Sequence, residues 1–337
     1  MTLTADRRVN IKDVARRAGV SPTTVSHALG GQRPVSAATR RRVREAAAEL
    51  GYRPHPGARS LKAGSTGVIA LCAVNASGAS GGTRLEYFSR LMRGVTEAAR
   101  EHEYASVVVP DGHEGAHWDR LLLDGAVISD PTSRDPNLRF LREQALPYVT
   151  IGRDPDRPDE GYWVADDAQA GARLVLDHLR ERGARDIAVV AFPTPDDRTQ
   201  VALRTYGDWC VEHGCRPRVE EVEDDTDDAL ARAASRILKG PQRPDAVFGL
   251  SEPPAAAVLR RAAEIGLDVP GELMVAGPSA FGQAEASAPA MTTLEFDAER
   301  HAREATDMLI RLVRGQTVDD PRRVLPVRLV ERESTRR

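Results

Sequence analysis

Apolar positions in the first fifty residues recur at helical spacing in three short runs, each bounded by polar or glycine punctuation. Ile11, Val14 and Ala18 share one face of a helix that Asn10 caps, with Asp13 complementing the dipole in its first turn and Gly19 ending it. Ser21-Pro22 restarts the chain, serine as the cap and proline at the first helical position, where its missing N–H costs nothing. Val25 and Leu29 face inward along this second helix, and Gly30-Gly31 closes it. A third helix follows Ser36, turning Val43, Ala47 and Leu50 inward and several of Arg40, Arg41, Arg42 and Arg44 outward, until Gly51. Three short helices with a glycine turn between the first two make a helix-turn-helix unit.

The pattern changes twice more. Residues 52–66, YRPHPGARSLKAGST, are dominated by Pro, Gly, Arg, Ser and Lys and read as a linker with at most one short helix. From Gly67 onward buried strands alternate with amphipathic helices. Strands are predicted at 67–74, 105–110, 125–129, 147–152, 186–191, 246–249, 273–276, 292–294 and, last, 324–329. Helices are predicted at 85–102, 168–182, 200–213, 227–239, 254–265 and 298–314. Repeated β-α units imply a mainly parallel, doubly wound sheet, and two such runs broken near residue 160 imply two similar lobes with a cleft between them.

The expected fold is therefore an all-α helix-turn-helix head followed by an α/β body of two doubly wound parallel-sheet lobes. The head covers 1–51, the linker 52–66 and the core 67–337. Within the core, lobe 1 takes about 67–160 plus a late segment, and lobe 2 about 161–290 plus the C-terminal strand.

Composition sharpens this picture at one point. The net charge of -3 conceals 13 Lys+Arg against 4 Asp+Glu in residues 1–66, and 34 against 46 in the remainder. A basic head on an acidic body is the electrostatic footprint of a chain that touches nucleic acid with one end, although a solvated basic helix surface would give the same count. The N-terminus lacks an apolar signal region and no apolar run approaches a membrane span, so a cytoplasmic, nucleoid-associated protein with no membrane partner is expected. Cys72, Cys210 and Cys215 are odd in number and lack metal spacing, which fits a reducing compartment; no cofactor or metal is expected.

The candidate chemistry lies first in Val9–Gly31. In a helix-turn-helix unit the second helix enters the major groove and its N-terminal side chains reach base edges. Ser21, Pro22, Thr23, Thr24 and Ser26 occupy that end here, with His27 a turn further on. Hydroxyls bond bases or phosphates, and a threonine methyl or proline ring can meet a thymine methyl. Two motifs point elsewhere and fail on context. His113-Glu114-Gly115-Ala116-His117 has the His-Glu-x-x-His spacing of zinc proteases, but its glycine and the preceding Asp111-Gly112 argue against the helix that chemistry needs. The serine of Gly78-Ala79-Ser80-Gly81-Gly82 lies inside a long loop rather than on a sharp strand-to-helix turn. An enzyme is not expected.

Residues 9–64 closely resemble the head and hinge of the lactose-repressor/galactose-repressor (LacI/GalR) family of bacterial transcriptional regulators. The resemblance rests on IKDVARRAGVS, TTVSHAL, VSAATRRRV, AAAELGYRP and ARSL, and extends more loosely over the whole chain. It implies a homodimer on a double-stranded DNA operator of pseudo-palindromic sequence, with a small-molecule effector between periplasmic-binding-protein-like lobes. It further implies that the segment with Ala58, Arg59 and Leu61 folds into a hinge helix on the operator, Leu61 wedging into the minor groove. Gly57 disfavours helix by about 1 kcal/mol relative to alanine, so a hinge unfolded off DNA is expected. His27 departs from the family's usual arginine. It offers one hydrogen bond where arginine offers two, so either the base read there differs or the residue only touches a phosphate.

For the effector, the resemblance points to Arg204 in RTYGDW, with Asn75, Arg153, Ser251 and Ser279 as further pocket candidates; Asp166 and Asp167 fit a helix cap equally well. The family's Asn-Asp is here Ser251-Glu252, and its Gly-aromatic-Asp is Gly277-Pro278-Ser279. These departures weaken the case for a simple sugar and favour an anionic or less hydroxylated ligand, or a core with little ligand response. Repression is the expected sign, because a bound dimer on a bent operator blocks polymerase.

Overall fold

The computed structural model describes residues 9–30, 35–52, 65–73, 82–109, 118–239, 243–279 and 287–336. The chain forms two compact units, Met1–Gly67 and Val68–Arg337.

The first unit is built on three helices, α1 (Ile11–Ala18), α2 (Pro22–Gly30) and α3 (Ala37–Glu49). Asn10 and Asp13 form a reciprocal cap: the Asn10 side chain accepts from the Lys12 N–H at 2.9 Å, and the Asp13 carboxylate accepts from the Asn10 N–H at 3.1 Å. Gly19 ends α1 with φ 64°, a left-handed conformation that suits glycine. Ser21 and Ser36 cap the next two helices, accepting from Thr24 N at 3.1 Å and Thr39 N at 3.2 Å. Val14, Val25 and Val43, one from each helix, are fully buried, with Ala15, Ala28, Ala46 and Ala47 between them. At roughly 1.5–3 kcal/mol per buried valine, these three contacts outweigh the weak propensities of such short helices.

The second unit holds two six-stranded sheets. The first sheet uses β1 (Val68–Ala73), β2 (Ala105–Val109), β3 (Gly125–Ser129), β4 (Tyr148–Ile151), β5 (Trp163–Asp166) and β11 (Arg322–Leu325), in the order β11-β5-β4-β3-β1-β2, all parallel. Helices α4 (Gly82–Glu101), α5 (Pro136–Glu143) and α10 (Ala298–Val313) belong to this lobe. Gly94 lets α4 and α10 cross closely: a Cβ there would lie 2.3 Å from the Glu299 carbonyl oxygen.

The second sheet uses β6 (Ile187–Ala191), β7 (Val219–Glu221), β8 (Ala246–Gly249), β9 (Met274–Ser279), β10 (Thr292–Glu295) and β12 (Arg328–Val330), ordered β12-β10-β9-β8-β6-β7. Only β12 runs antiparallel, against β10. Helices α6 (Ala168–Glu181), α7 (Asp197–His213), α8 (Asp227–Leu238) and α9 (Glu252–Glu264) cover its faces. Strands buried on both faces explain the continuous apolar runs IAVVA and AVFG.

Two boundaries differ from the sequence expectation. The chain passes to the second lobe at Asp166-Asp167 rather than near 160, because Trp163–Asp166 pairs with β4 and β11 of the first sheet. The single terminal strand expected at 324–329 is two strands on different sheets. Pro326 lies between them and cannot donate to a ladder, so β11 ends at Leu325 and β12 begins anew at Arg328. The chain thus crosses between lobes three times.

Candidate functional site: a reading helix and an inter-lobe cleft

The N-terminal end of α2 presents Ser21, Pro22 and Thr23 exposed, while Thr24, Ser26 and His27 are half-buried. Val25 and Ala28 point inward and fix which face of the helix is free. The Ser21 and Thr24 hydroxyls lie 2.9 Å apart, so the cap that starts the helix also orients these two groups. Arg41, Arg42 and Arg44 are exposed on α3, whereas Arg17 pairs with Glu49 at 2.7 Å. Hydroxyls at a helix start can bond base edges, and exposed guanidiniums on the same unit can bond phosphates. The hinge candidates Ala58, Arg59 and Leu61, and the pocket candidate Asn75, lie outside the described residues, as does the His113–His117 motif.

In the second unit the carboxyl ends of β3, β4 and β5 meet the start of α7 across the lobes. The backbones are stitched there: Thr132 and Asp196 form an antiparallel bridge, and Ser133 N–H donates to the Pro195 carbonyl at 3.1 Å. Side chains tighten the seam. Arg198, from the second lobe, lies 3.4 Å from Asp130 and 3.8 Å from Asp166, both of the first, and stacks over the Phe296 ring at 5.2 Å. In the reverse direction Arg153 of the first lobe lies 3.9 Å from Asp197 of the second and covers Trp163 at 4.8 Å.

Around these ties is an open hollow, lined also by Tyr87, Gly152 and His301. A second hollow adjoins Arg198 and is lined mainly by apolar groups, including Phe248, Leu250, Pro278 and Leu294. The Tyr87 hydroxyl donates to Asp130 at 2.8 Å and the Ser129 hydroxyl at 3.0 Å. Burial still lifts the Asp130 carboxyl above its ordinary range, against the pull of Arg198. Burial and the Asp130 charge together push the Tyr87 phenol up. Burial lowers the His301 imidazole, but Asp166, 2.9 Å from its Nε2, outweighs this and raises it. Mixed charges, two partly apolar hollows and a lobe-to-lobe seam make a site suited to bind and sense, with no nucleophile–base pair among the named groups.

The periplasmic binding protein-like domain matches residues 176–335, and the domain of the bacterial regulatory proteins of the lacI family matches residues 10–55. The HTH-type transcriptional repressor PurR of Edwardsiella ictaluri is 31% identical over 335 residues, spanning 96% of each chain. The chain belongs to the lacI family of bacterial regulatory proteins.

This lacI-family protein is a DNA-binding transcriptional regulator, not an enzyme. It is similar in the same way to the HTH-type transcriptional regulator CelR of Thermobifida fusca, at 30% identity over 341 residues, covering 97% of this chain and 98% of that one. Among solved structures, a CelR–cellobiose complex matches with TM-score 0.70 and 28% identity over 97% of this chain and 100% of that one. A lac repressor dimer bound to operator and the anti-inducer ONPF shares the fold, with TM-score 0.82 at 23% identity over 98% and 99% of the two chains. No helix among the described residues is long and apolar enough to cross a membrane.

The pocket candidates of this lacI-family core fall in different places. Arg153 lines the first hollow. Arg204, on α7, is exposed and lines neither hollow, though its charge and that of Arg153 pull Asp197 down against a larger lift from burial. Ser251 precedes α9 and Ser279 ends β9, both at the carboxyl edge of the second sheet. Asp167 caps α6, accepting from Ala170 N at 2.9 Å, while Asp166 turns to Arg198 and His301. Sequence reasoning passed over Arg198, Asp130, Tyr87 and His301. Asp130 carried a usable signal, since it directly follows a buried strand, at the end where open sheets bind ligands.

Proposed function

We propose that this protein is a homodimeric repressor working in the cytoplasm on the nucleoid, whose two heads read the halves of a pseudo-palindromic operator. A small molecule between the lobes adjusts its grip. One observation carries the effector part: two lobes linked by three chain crossings meet at a polar seam beside two hollows. A ligand that binds one lobe arrangement better than another shifts the balance between them, and a coupling of about 1–3 kcal/mol suffices for a switch. The relative whose structure is a complex with cellobiose supports a ligand held by the same kind of core. In the head, Ser21, Pro22, Thr23, Thr24, Ser26 and His27 read bases, and Ala58, Arg59 and Leu61 contact the minor groove. In the core, Asn75, Arg153, Ser251 and Ser279 face the ligand; Arg204, exposed on α7, acts at its rim. Footprinting the full-length protein on the DNA upstream of its own gene tests this, first alone and then with candidate metabolites. A protected palindrome that weakens or strengthens with one metabolite is expected; binding that never distinguishes sequences refutes it.

A second reading has its own support. Arg198 already bridges Asp130 and Asp166 with no ligand needed, as a core that holds its own seam closed would do. In that case the footprint is the same with every metabolite.

A further inference from the structure

Glu252 opens α9 at the carboxyl edge of the second sheet. Its side chain is buried, 6% exposed, and among the described residues no cation pairs with it. Ser279, at the end of β9, hydrogen-bonds the carboxyl, yet the buried Oε2 has no hydrogen-bond partner. The neighbouring Ser251 hydroxyl is also buried without a partner, although it stands at the cap position where a serine normally bonds the first turn. An acid placed at a helix start for capping alone would spend its oxygens on backbone N–H groups. This one does not. Glu86, half-buried on α4 of the opposite lobe and paired with Arg90 at 3.1 Å, adds some negative charge. Two buried oxygens without partners, on adjacent residues, are costly in the free protein and would be satisfied by a ligand's donors.

The rest of the cleft points the same way. The first hollow, which neither Ser251 nor Glu252 lines, sets four carboxylates, Asp130, Asp166, Asp196 and Asp197, against two guanidiniums and the raised His301 imidazole. Both Arg153 and Arg198 already lean on those carboxylates, so an anionic ligand would have to displace one.

We infer that the effector carries a protonated amine or amidine, whose N–H groups are received by the orphaned Glu252 Oε2 and Ser251 Oγ at the carboxyl edge of the second sheet. This rests on the effector-controlled reading above and names the ligand's chemical class. It sets aside the anionic ligand, one of the alternatives the sequence left open. An ammonium or amidinium supplies two or three donors and a positive charge, which would satisfy both oxygens and offset the Glu86 field; a neutral hydroxyl supplies one donor and no charge.

The test uses the full-length protein and three probes of matched shape, benzylamine, benzyl alcohol and benzoate, titrated by calorimetry and by thermal melting. Benzylamine is expected to bind at least tenfold more tightly than either of the others and to raise the melting temperature. Glu252→Gln should remove that preference, and Ser251→Ala should reduce it. Benzoate binding as well as benzylamine, no binding of benzylamine, or a preference that survives Glu252→Gln would each overturn the inference. The wild-type comparison decides the matter alone should a variant fail to fold. Failure of the regulator reading is separable: wild-type protein with the amine preference but no sequence-specific footprint refutes that reading and leaves this one standing.

Discussion

Arg198, in the first turn of α7 on the second lobe, holds its guanidinium 3.4 Å from the carboxylate of Asp130, at the end of β3 on the first. The Arg198 side chain is 43% exposed, so solvent screens the pair and its worth alone is at most about 1 kcal/mol. Its value lies in company. The same guanidinium faces Asp166 and stacks on Phe296, and the Asp130 carboxylate is pinned by the Tyr87 and Ser129 hydroxyls. Several modest contacts at one seam can hold a lobe arrangement that a ligand then has to reinforce or break.

Arg198→Gln should therefore loosen the seam by about 1–2 kcal/mol, roughly a 5- to 30-fold rise in local opening. Amide exchange at Ser133, whose N–H reaches the Pro195 carbonyl across the lobes at 3.1 Å, is the direct measure. Faster exchange there, with the core of β1 and β3 unchanged, is expected. An unaltered Ser133 rate would show that the backbone bridge holds the lobes without the arginine.

The head was legible because its signals are local. Asn10, Gly19, Ser21-Pro22 and Ser36 each act within four residues of where they stand, and each is used as the spacing predicts. Most of the alternation of strands and helices was legible for the same reason, but the short strands β5 and β7 were not expected. What escaped was non-local. Nothing within 322–330 reveals that β11 and β12 pair on different sheets, since each finds its partner more than thirty residues away. In the cleft, Arg204 was favoured and Arg198 overlooked. They stand six residues apart on one helix, roughly 240° around its axis, so they cannot face the same wall. The helix begins at Asp197 rather than at Gln200, which puts Arg198 in its first turn beside the other lobe. Glu252 was noticed only as a departure from Asn-Asp; its burial depends on β8 and β9, which no local pattern near it reports.

Two helical glycines should respond oppositely to alanine. At Gly94 the new Cβ would meet the Glu299 carbonyl at 2.3 Å and the Ala302 Cβ at 2.8 Å, and backbone cannot swing aside as a flexible side chain does. Gly94→Ala is expected to cost about 1–3 kcal/mol as α4 and α10 are forced apart. At Gly207, inside α7, a Cβ meets nothing within 4 Å, so Gly207→Ala should stabilise by about 0.4–1 kcal/mol through the unfolded chain. Urea denaturation of both variants checks the pair. Stabilisation at Gly94 would mean that the two helices have room to separate.

His27→Arg should sharpen the operator preference of the head at one base pair in each half-site. Arginine can bond a guanine O6 and N7 together, so discrimination in favour of guanine at that position should rise by about 1–3 kcal/mol. Competition binding with operators varied one base at a time measures it. A uniform change across all sequences would place His27 against a phosphate instead.

Glu252 gives the core a pH dependence of definite sign. Burial is the larger cause, with the Glu86 charge adding to it, and together they push the carboxyl from its ordinary 4.5 up to about 7, against a hydrogen bond from Ser279. A carboxyl whose folded value is raised binds its proton more tightly in the folded state. Its folding contribution is intact below about 4.5 and declines as pH rises through about 7, the reverse of a salt-bridged carboxylate. Fully ionised, it costs up to roughly 3 kcal/mol. Glu252→Gln keeps the shape and removes the charge, so it should match the wild type at pH 5 and exceed it at pH 8, flattening the stability curve between. Denaturation midpoints across that range decide the point: wild-type stability that does not fall relative to the variant between pH 5 and 8 would mean that the Glu252 carboxylate is solvated in the folded protein.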